Sequence, residues 1–403
     1  MKPELNRIYQ GDALAIIRTW PDAFIQTCVT SPPYWGLRDY GVEGQLGLEK
    51  TPEEYVAKMV ELFREVRRVL RDDGTLWINI GDSYCSSPNG GNCGSSSTLT
   101  NPARQNKMTV RMKKDFGDLK PKDLVGIPWM VAFALRADGW YLRSEIIWHK
   151  PNPMPESVTD RPTKAHEQIF LLAKSESYFC DMEAIKEKSV SEWEYGQERR
   201  IQRVEAAGGA LSGGTGNGLS EGITRNKRTV WTVSTKPYSE SHFATFPPDL
   251  ISPCILAGTS EKGCCLKCGS PWERVVEKTP ATSKSQKSTY GHDSGINDGG
   301  RSQLIGGGSK TMGWSPSCEC DGQLHKRIVG SGINTREVRY WRPHGEMPAS
   351  KPCIVSDHFM GAGTVALVSA KYSRDFIGTE LNPAYVKMAE ERIANEVAQG
   401  KMF

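Results

Sequence analysis

The order of elements near the C-terminus constrains this chain more than any other feature. Cys353–Ser356 reads as a short apolar strand, Gly361-Ala362-Gly363 as a glycine turn, and Thr364–Ala370 as a helix. Phe376–Glu380 is then a second strand and Pro383–Val397 a second helix. Two strands joined through a helix pair in parallel, and the crossover carries the helix over one face of the sheet. The N-terminal part repeats the alternation: a strand at Arg7–Tyr9, a helix from Asp12 to near Trp20, and a strand at Phe24–Thr30. Thr51–Leu70 has Pro52 and two glutamates in its first turn and an apolar stripe of Tyr55, Met59, Leu62, Phe63, Val66 and Leu70, which predicts a helix. Strands follow at Thr75–Ile80, Leu142–His149 and Gln168–Ala173, with helices at Leu124–Leu135 and Pro247–Leu256. The expected fold class is α/β, a parallel, doubly wound sheet.

At 403 residues the chain can bury such a core and still carry insertions. No apolar run approaches the roughly 18 residues that span a bilayer, and the opening MKPELNRIYQGDAL lacks the apolar core of a secretory signal. A cytoplasmic protein without a membrane partner is expected. The net charge of +4 does not point to nucleic acid, but its distribution does more. Arg104, Lys107, Arg111, Lys113 and Lys114 form one basic cluster, Arg199, Arg200 and Arg203 a second, and Arg225, Lys227 and Arg228 a third. Each can neutralise phosphates or simply be a solvated face. The stretches 83–121 and 279–308 are rich in Gly, Ser and Asn and read as flexible loops.

Two loops carry chemistry. In Asp357-His358-Phe359-Met360-Gly361-Ala362-Gly363-Thr364, glycines permit a tight turn and close approach to a ligand, and Glu380 ends the next strand. An acid there can take the hydroxyls of a ribose, although a glycine pair alone also serves purely structural turns. In Thr30-Ser31-Pro32-Pro33-Tyr34-Trp35, two prolines stop a strand and fix a hydroxyl and a carbonyl ahead of two aromatic rings. The arrangement suits a planar amine, which the oxygens accept from while a ring stacks on it; the same residues can equally be a proline-stopped strand with aromatics in the core.

Eleven cysteines in such a protein argue for thiols or metal rather than disulfides. Cys265-x-x-Cys268 and Cys318-x-Cys320 supply four soft ligands, enough for a tetrahedral structural zinc, with Gly269 allowing the knuckle. The alternative is reduced cysteines in a packed insertion, and Cys264 either replaces a neighbour or stays free.

These motifs together resemble the β-class, permuted family of DNA amino-methyltransferases. TSPPYW is similar to the family's catalytic motif, and DHFMGAGT with GTELN to its S-adenosylmethionine site, in the β-class order with the catalytic motif first. GDALAII resembles the segment near the cofactor's adenine, GWYLRSEIIWHKPNPMP and RPTKAHEQIFLLAK the strands and loop behind the catalytic site, and HFATFPPDLI the helix at the methionine end. His358 departs from the pattern, standing where the family has proline. The cysteines resemble zinc-knuckle insertions of phage-like members.

The resemblance implies a Rossmann-like methyltransferase sheet, permuted, carrying inserted recognition and zinc-binding segments. Its segments are 1–82 (catalytic half), 83–121 (mobile basic loop), 122–182 (core), 183–231 (target recognition), 232–260 (core with the clasp helix), 261–351 (zinc insertion) and 352–403 (cofactor half). It implies methyl transfer from S-adenosylmethionine to the exocyclic amine of a flipped base in double-stranded DNA, through Ser31, Pro32, Pro33 and Tyr34, with Trp35 as a second ring for stacking. The leading serine favours cytosine N4, with adenine N6 the alternative; Trp35, if it narrows the pocket, agrees with cytosine. Asp12 is expected near the adenine and Glu380 at the ribose, with Asp357, Phe359, Gly361, Gly363 and Thr364 completing the cofactor site. A cognate restriction endonuclease fits the reading, and the oligomeric state and target sequence stay open. Glutamine or RNA methyltransferases share the Pro-Pro-Tyr loop but place the cofactor motif before it. An inactive zinc-containing DNA-binding protein is the rival from another class, against which the intact TSPPYW, glycine turn and Glu380 argue.

Overall fold

The computed structural model describes residues 2–85, 115, 117–188, 224–235, 246–279, 282–285, 302–305, 308–329 and 336–398. The first two basic clusters, most of the 83–121 loop and the Gly-rich stretch of the recognition segment lie outside them. Two compact units are separable: one built from 1–181, 228–273 and 316–403, the other from 182–227 and 274–315.

The larger unit holds the sheet. Its strands are β1 (Arg7–Gln10), β2 (Ile25–Thr30), β3 (Leu70–Ile80), β4 (Tyr141–His149), β5 (His166–Ala173), β6 (Val230–Thr232), β7 (Ile354–Asp357) and β8 (Asp375–Glu380). They lie in the order β1-β8-β7-β2-β3-β5-β4-β6. The pairings β1–β8, β8–β7, β7–β2 and β2–β3 are parallel, as are β4–β6. Strand β5 alone runs against its neighbours β3 and β4. The sheet is therefore mixed rather than wholly parallel. The chain returns from β4 into β5 without an intervening helix, the kind of connection that commonly joins antiparallel neighbours.

The helices are α1 (Ala13–Ile17), α2 (Pro52–Val69), α3 (Ile127–Ala137), α4 (Pro248–Gly258), α5 (Thr364–Lys371) and α6 (Pro383–Ala398). Sequence signals place their ends. Thr51 caps α2 by accepting from the Glu54 N–H at 3.1 Å, and Arg67 and Arg68 occupy its last turn, where the dipole favours cations. Its buried face of Tyr55, Met59, Leu62, Phe63, Val66 and Val69 packs into the main core with Trp20, Ile78 and Phe170. Helix α3 starts three residues later than the apolar pattern suggests, since Leu124 bridges Tyr84 and Asp82 accepts the N–H groups of Gly126 and Ile127 at 3.0 and 3.1 Å. Strand β3 begins five residues early: Leu70 pairs with Ile25, and the chain bulges before Thr75 meets Thr27.

The smaller unit contains a short helical turn at Met182–Ile185 and a two-residue antiparallel pairing of Glu187–Lys188 with Thr224–Arg225, reinforced by the Arg225–Glu187 ion pair at 2.8 Å. A second antiparallel pair joins Thr282–Ser285 to Ser302–Ile305.

The glycine turn after β7 shows why glycine stands there. Gly363 caps α5 with φ of 74°, a left-handed conformation, and a β-carbon on it would lie 2.8 Å from the Ala389 side chain of α6. Gly363→Ala should therefore destabilise the protein by about 1–2 kcal/mol from the backbone alone, with the clash adding to it. Urea unfolding of the two proteins measures this, and an unchanged midpoint contradicts it.

Candidate active site

The carboxyl ends of β7, β8 and β2 open on a cavity of about 840 Å³. Crevices outside the carboxyl ends of parallel strands are where open α/β sheets bind ligands, and this volume falls in the range that encloses a small molecule. Among its walls are Asp12, Ser31, Pro32, Pro33, Tyr34, Phe359, Gly361 and Glu380, residues from the two ends of the chain. Asp357, Gly363 and Thr364 do not line it.

Glu380, at the end of β8, faces the cavity. Its two oxygens accept the backbone N–H groups of Gly361 and Asn382, each at 2.8 Å, which orients the carboxylate and leaves further lone pairs toward the cavity. Burial raises its pKa above the usual carboxylate value, opposed by those N–H bonds. Asp12 caps α1 through the Ala15 N–H at 2.8 Å while facing the same cavity. Asp357 serves the turn from behind. Its Oδ1 accepts from the Thr30 hydroxyl at 2.6 Å and the Phe359 N–H at 3.0 Å, and full burial pushes its pKa up to about 7. Thr364 is engaged by Arg392, which donates to its hydroxyl at 3.0 Å and to the Ala362 carbonyl at 2.9 Å. His358, 1% exposed, packs on Trp20 with ring centroids 5.7 Å apart, and burial holds its pKa near 3, so the imidazole is neutral.

The Pro32-Pro33 loop is fixed from below. The Tyr55 hydroxyl of α2 donates to the Pro33 carbonyl at 2.9 Å, and the Gly36 N–H bonds the Gly47 carbonyl at 2.7 Å. Tyr34 turns toward the cavity, its ring against Gly81, where a β-carbon would fall 2.5 Å from a ring carbon. Trp35 turns the other way. It is 1% exposed, sits in the core, and donates from Nε1 to the Glu49 carbonyl at 3.0 Å. Trp35 is therefore no stacking ring and no wall of the cavity, because the loop's alternation aims only one of the two aromatics outward. Sequence reasoning missed Asn79, Lys150, Glu167 and Asn382, which also line the cavity. A polar residue at the mouth of an apolar strand is the signal that could have found Glu167.

The four cysteines converge at the other edge of the sheet. The Sγ atoms of Cys265, Cys268, Cys318 and Cys320 lie within 4.8 Å of one another. Thiolates at the corners of a zinc tetrahedron stand about 3.8 Å apart, so the set fits that ion. The Cys264 thiol faces the Pro352 carbonyl instead, at 3.5 Å, because neighbours on a strand point to opposite faces. The knuckle docks where β2 and β3 begin. Gln26 Nε2 donates to the Gly269 carbonyl at 2.9 Å, and Arg71 donates to the Cys268 carbonyl and, at 2.9 Å, to the Ser270 hydroxyl.

An acid-tipped strand, a glycine turn and a Pro-Pro-Tyr loop around one cavity define a methyltransferase site for an amino group. Comparison with known proteins agrees. The family model for the N6/N4 DNA methylases matches residues 25–266 and 326–391. The type II methyltransferase M.Cfr9I of Citrobacter freundii is 49% identical over 259 residues, 64% of this chain and 74% of that protein. M.XycI of Xanthomonas campestris pv. cyanopsidis is 49% identical over 63% of this chain and 73% of its own length, and M.SmaI of Serratia marcescens 45% over 64% and 76%. The chain belongs to the DNA methylase family of N6 and N4 methyltransferases. It is an S-adenosylmethionine-dependent DNA amino-methyltransferase, and its residues fit that cofactor: Glu380 and the Gly361 turn meet the cavity beside Phe359 and Asp12. No helix among the described residues is long and apolar enough to cross a membrane.

Removing the oriented carboxylate in Glu380→Ala should weaken S-adenosylmethionine binding by about 1.5–3 kcal/mol, the usual worth of a hydrogen bond to a charged group. Calorimetric titration reads this directly, and unchanged affinity would take Glu380 out of the site.

Proposed function

We propose that the protein methylates N4 of cytosine in double-stranded DNA at a specific sequence, using Ser31, Pro32, Pro33 and Tyr34 as its catalytic loop. One observation carries this reading: that loop and the Glu380 turn, far apart in the chain, line the same cavity. The target amine is stacked inside the duplex, so the base must be flipped into the cavity to be reached. Its nitrogen lone pair is delocalised into the ring and is a poor nucleophile. N–H bonds to the Ser31 hydroxyl and the Pro32 carbonyl favour a tetrahedral nitrogen whose lone pair is exposed. Tyr34 holds the base plane by stacking. Bound S-adenosylmethionine supplies an electrophilic sulfonium methyl; Glu380, Gly361, Phe359 and Asp12 would hold it, with Asp357, Gly363 and Thr364 shaping the turn behind them. As the N–C bond forms the donor's S–CH3 bond would break to leave a neutral thioether, and the nitrogen gives one of its protons to water. The route needs no covalent bond between enzyme and base. Positioning and fixed dipoles supply the rate.

Cytosine is favoured over adenine N6 because Ser31 is short and neutral where a carboxylate or carboxamide would otherwise meet the amine. The type II names of the relatives support a cognate restriction endonuclease as partner, and a protein that acts on DNA is read as cytoplasmic. Target recognition is assigned to residues 183–231, most of which lie outside the described ones, and phosphate contact to the basic 83–121 loop. The Cys265, Cys268, Cys318 and Cys320 set is read as a structural zinc knuckle. Its thiols meet at the starts of β2 and β3, away from the cavity, which supports a role in stability rather than in chemistry.

Digestion of methylated DNA to nucleosides, followed by mass spectrometry, should find the methyl group on deoxycytidine. Label confined to deoxyadenosine would overturn the cytosine assignment and leave the loop's role standing.

Elemental analysis should find one zinc per chain, and Cys268→Ser should lose it together with a fall in melting temperature. A folded, active, metal-free preparation of the unaltered protein would refute the knuckle.

A further inference from the structure

Between Tyr34 and the antiparallel part of the sheet runs a connected set of polar side chains. The Tyr34 hydroxyl donates to Glu167 Oε2 at 2.7 Å, and Asn79 Nδ2 donates to the same oxygen at 3.2 Å. The other carboxylate oxygen, Oε1, is held by the Lys150 ammonium, which also lies over the Trp148 ring, 4.2 Å from its centroid. Asn79 is itself fixed by the Gln168 carbonyl at 3.2 Å. Glu167 opens β5, Lys150 follows β4, and Asn79 lies near the end of β3, so three parts of the scaffold meet at one carboxylate.

We infer that Glu167 is a positioning residue for the methyl-transfer reaction, tying the Tyr34 hydroxyl to the sheet so that its ring is already oriented when a flipped base arrives. The inference rests on the reading of Tyr34 as the stacking residue. A tyrosine ring on a loop can swing about its first two side-chain torsions, and each productive orientation must otherwise be selected at the moment of binding. Here the ring is confined at both ends. Gly81 admits its flank, since any β-carbon there would collide with it, and the carboxylate fixes its tip. Oε2 of Glu167 accepts from Tyr34 and Asn79 and Oε1 from Lys150, so the carboxylate is itself held and can in turn hold the hydroxyl. Lys150 pairs with the carboxylate in a half-buried setting, and the tyrosine stays a neutral donor because burial and the neighbouring Glu167 charge raise its pKa well above the ordinary value. Charge-assisted bonds of this kind are the strong ones, and a misplaced reactive group costs rate more than binding.

A double-mutant cycle on the full-length protein tests this, with Tyr34→Phe, Glu167→Gln and the pair compared by single-turnover methyl transfer to duplex DNA. Each single change should slow transfer about tenfold, and the double variant should be no slower than the slower single one. The KM for S-adenosylmethionine should not move. Glu167→Asp, which keeps the charge beside Lys150 but is too short to reach the hydroxyl, should slow transfer likewise and serves if the glutamine variant fails to fold. Wild-type rates in Glu167→Gln or Glu167→Asp, or losses that multiply in the double variant, overturn the inference. Tyr34→Ala separates it from the reading beneath: a slow Tyr34→Ala beside a fast Glu167→Gln removes only Glu167, while a fast Tyr34→Ala removes the stacking role itself.

Discussion

The site exists because β2 and β7 lie side by side. Val355 pairs with Thr27 and Ser356 with Cys28, in a parallel ladder between segments more than three hundred residues apart, and the Thr30 hydroxyl closes it by bonding the Asp357 carboxyl at 2.6 Å. All of β2 and β7 are buried, so the pairing is sealed from water. A carboxyl in that setting is pushed toward its neutral form, and Asp357 is accordingly shifted to about 7 while it ties the two strands together. With this ladder in place, Ser31 and the glycine turn emerge together at one edge of the sheet, and methyl donor and acceptor can share a cavity.

On this frame the protein uses its polar groups in two tiers. Glu380, Ser31 and Tyr34 face the cavity, and each is held by something behind it: Glu380 by the backbone of Gly361 and Asn382, the Pro-Pro loop by Tyr55, Tyr34 by Glu167. Groups held from behind in this way present fixed geometry and oriented dipoles to whatever enters the cavity. The same economy governs the opposite edge. Gln26 donates to the knuckle through its amide nitrogen and accepts the Ile354 N–H through its oxygen at 2.6 Å, so one buried side chain links the cysteine knuckle to the cofactor strand.

Much of this was legible beforehand. The strand–glycine–helix–strand order near residues 353–380 and the apolar stripe of α2 are local patterns, and local patterns specify elements. The two loops were legible as turns of restricted shape because Pro-Pro and Gly-x-Gly limit the backbone whatever surrounds them. The Cys-x-x-Cys and Cys-x-Cys pairs named their own partners by ligand type. Less could be read where the outcome depends on distant neighbours. The reversed β5 has the composition of any central strand, and only its connection and its partners set its direction.

Tyr34 and Trp35 mark the boundary most clearly. The sequence by itself determined that two rings follow the prolines, that an acid ends β8, and that four cysteines occur in ligand-like pairs, because residue type and short spacing are properties of the chain. Which ring faces the substrate, and which is buried at 1% exposure against Glu49, was decided only when α2 packed under the loop. Likewise Glu167, separated from Tyr34 by 133 residues, becomes its anchor only because β3 and β5 pair and bring Asn79 beside it. Hydrogen bonds act over about 3 Å, and proximity between such distant residues is created by the sheet, not by the sequence between them.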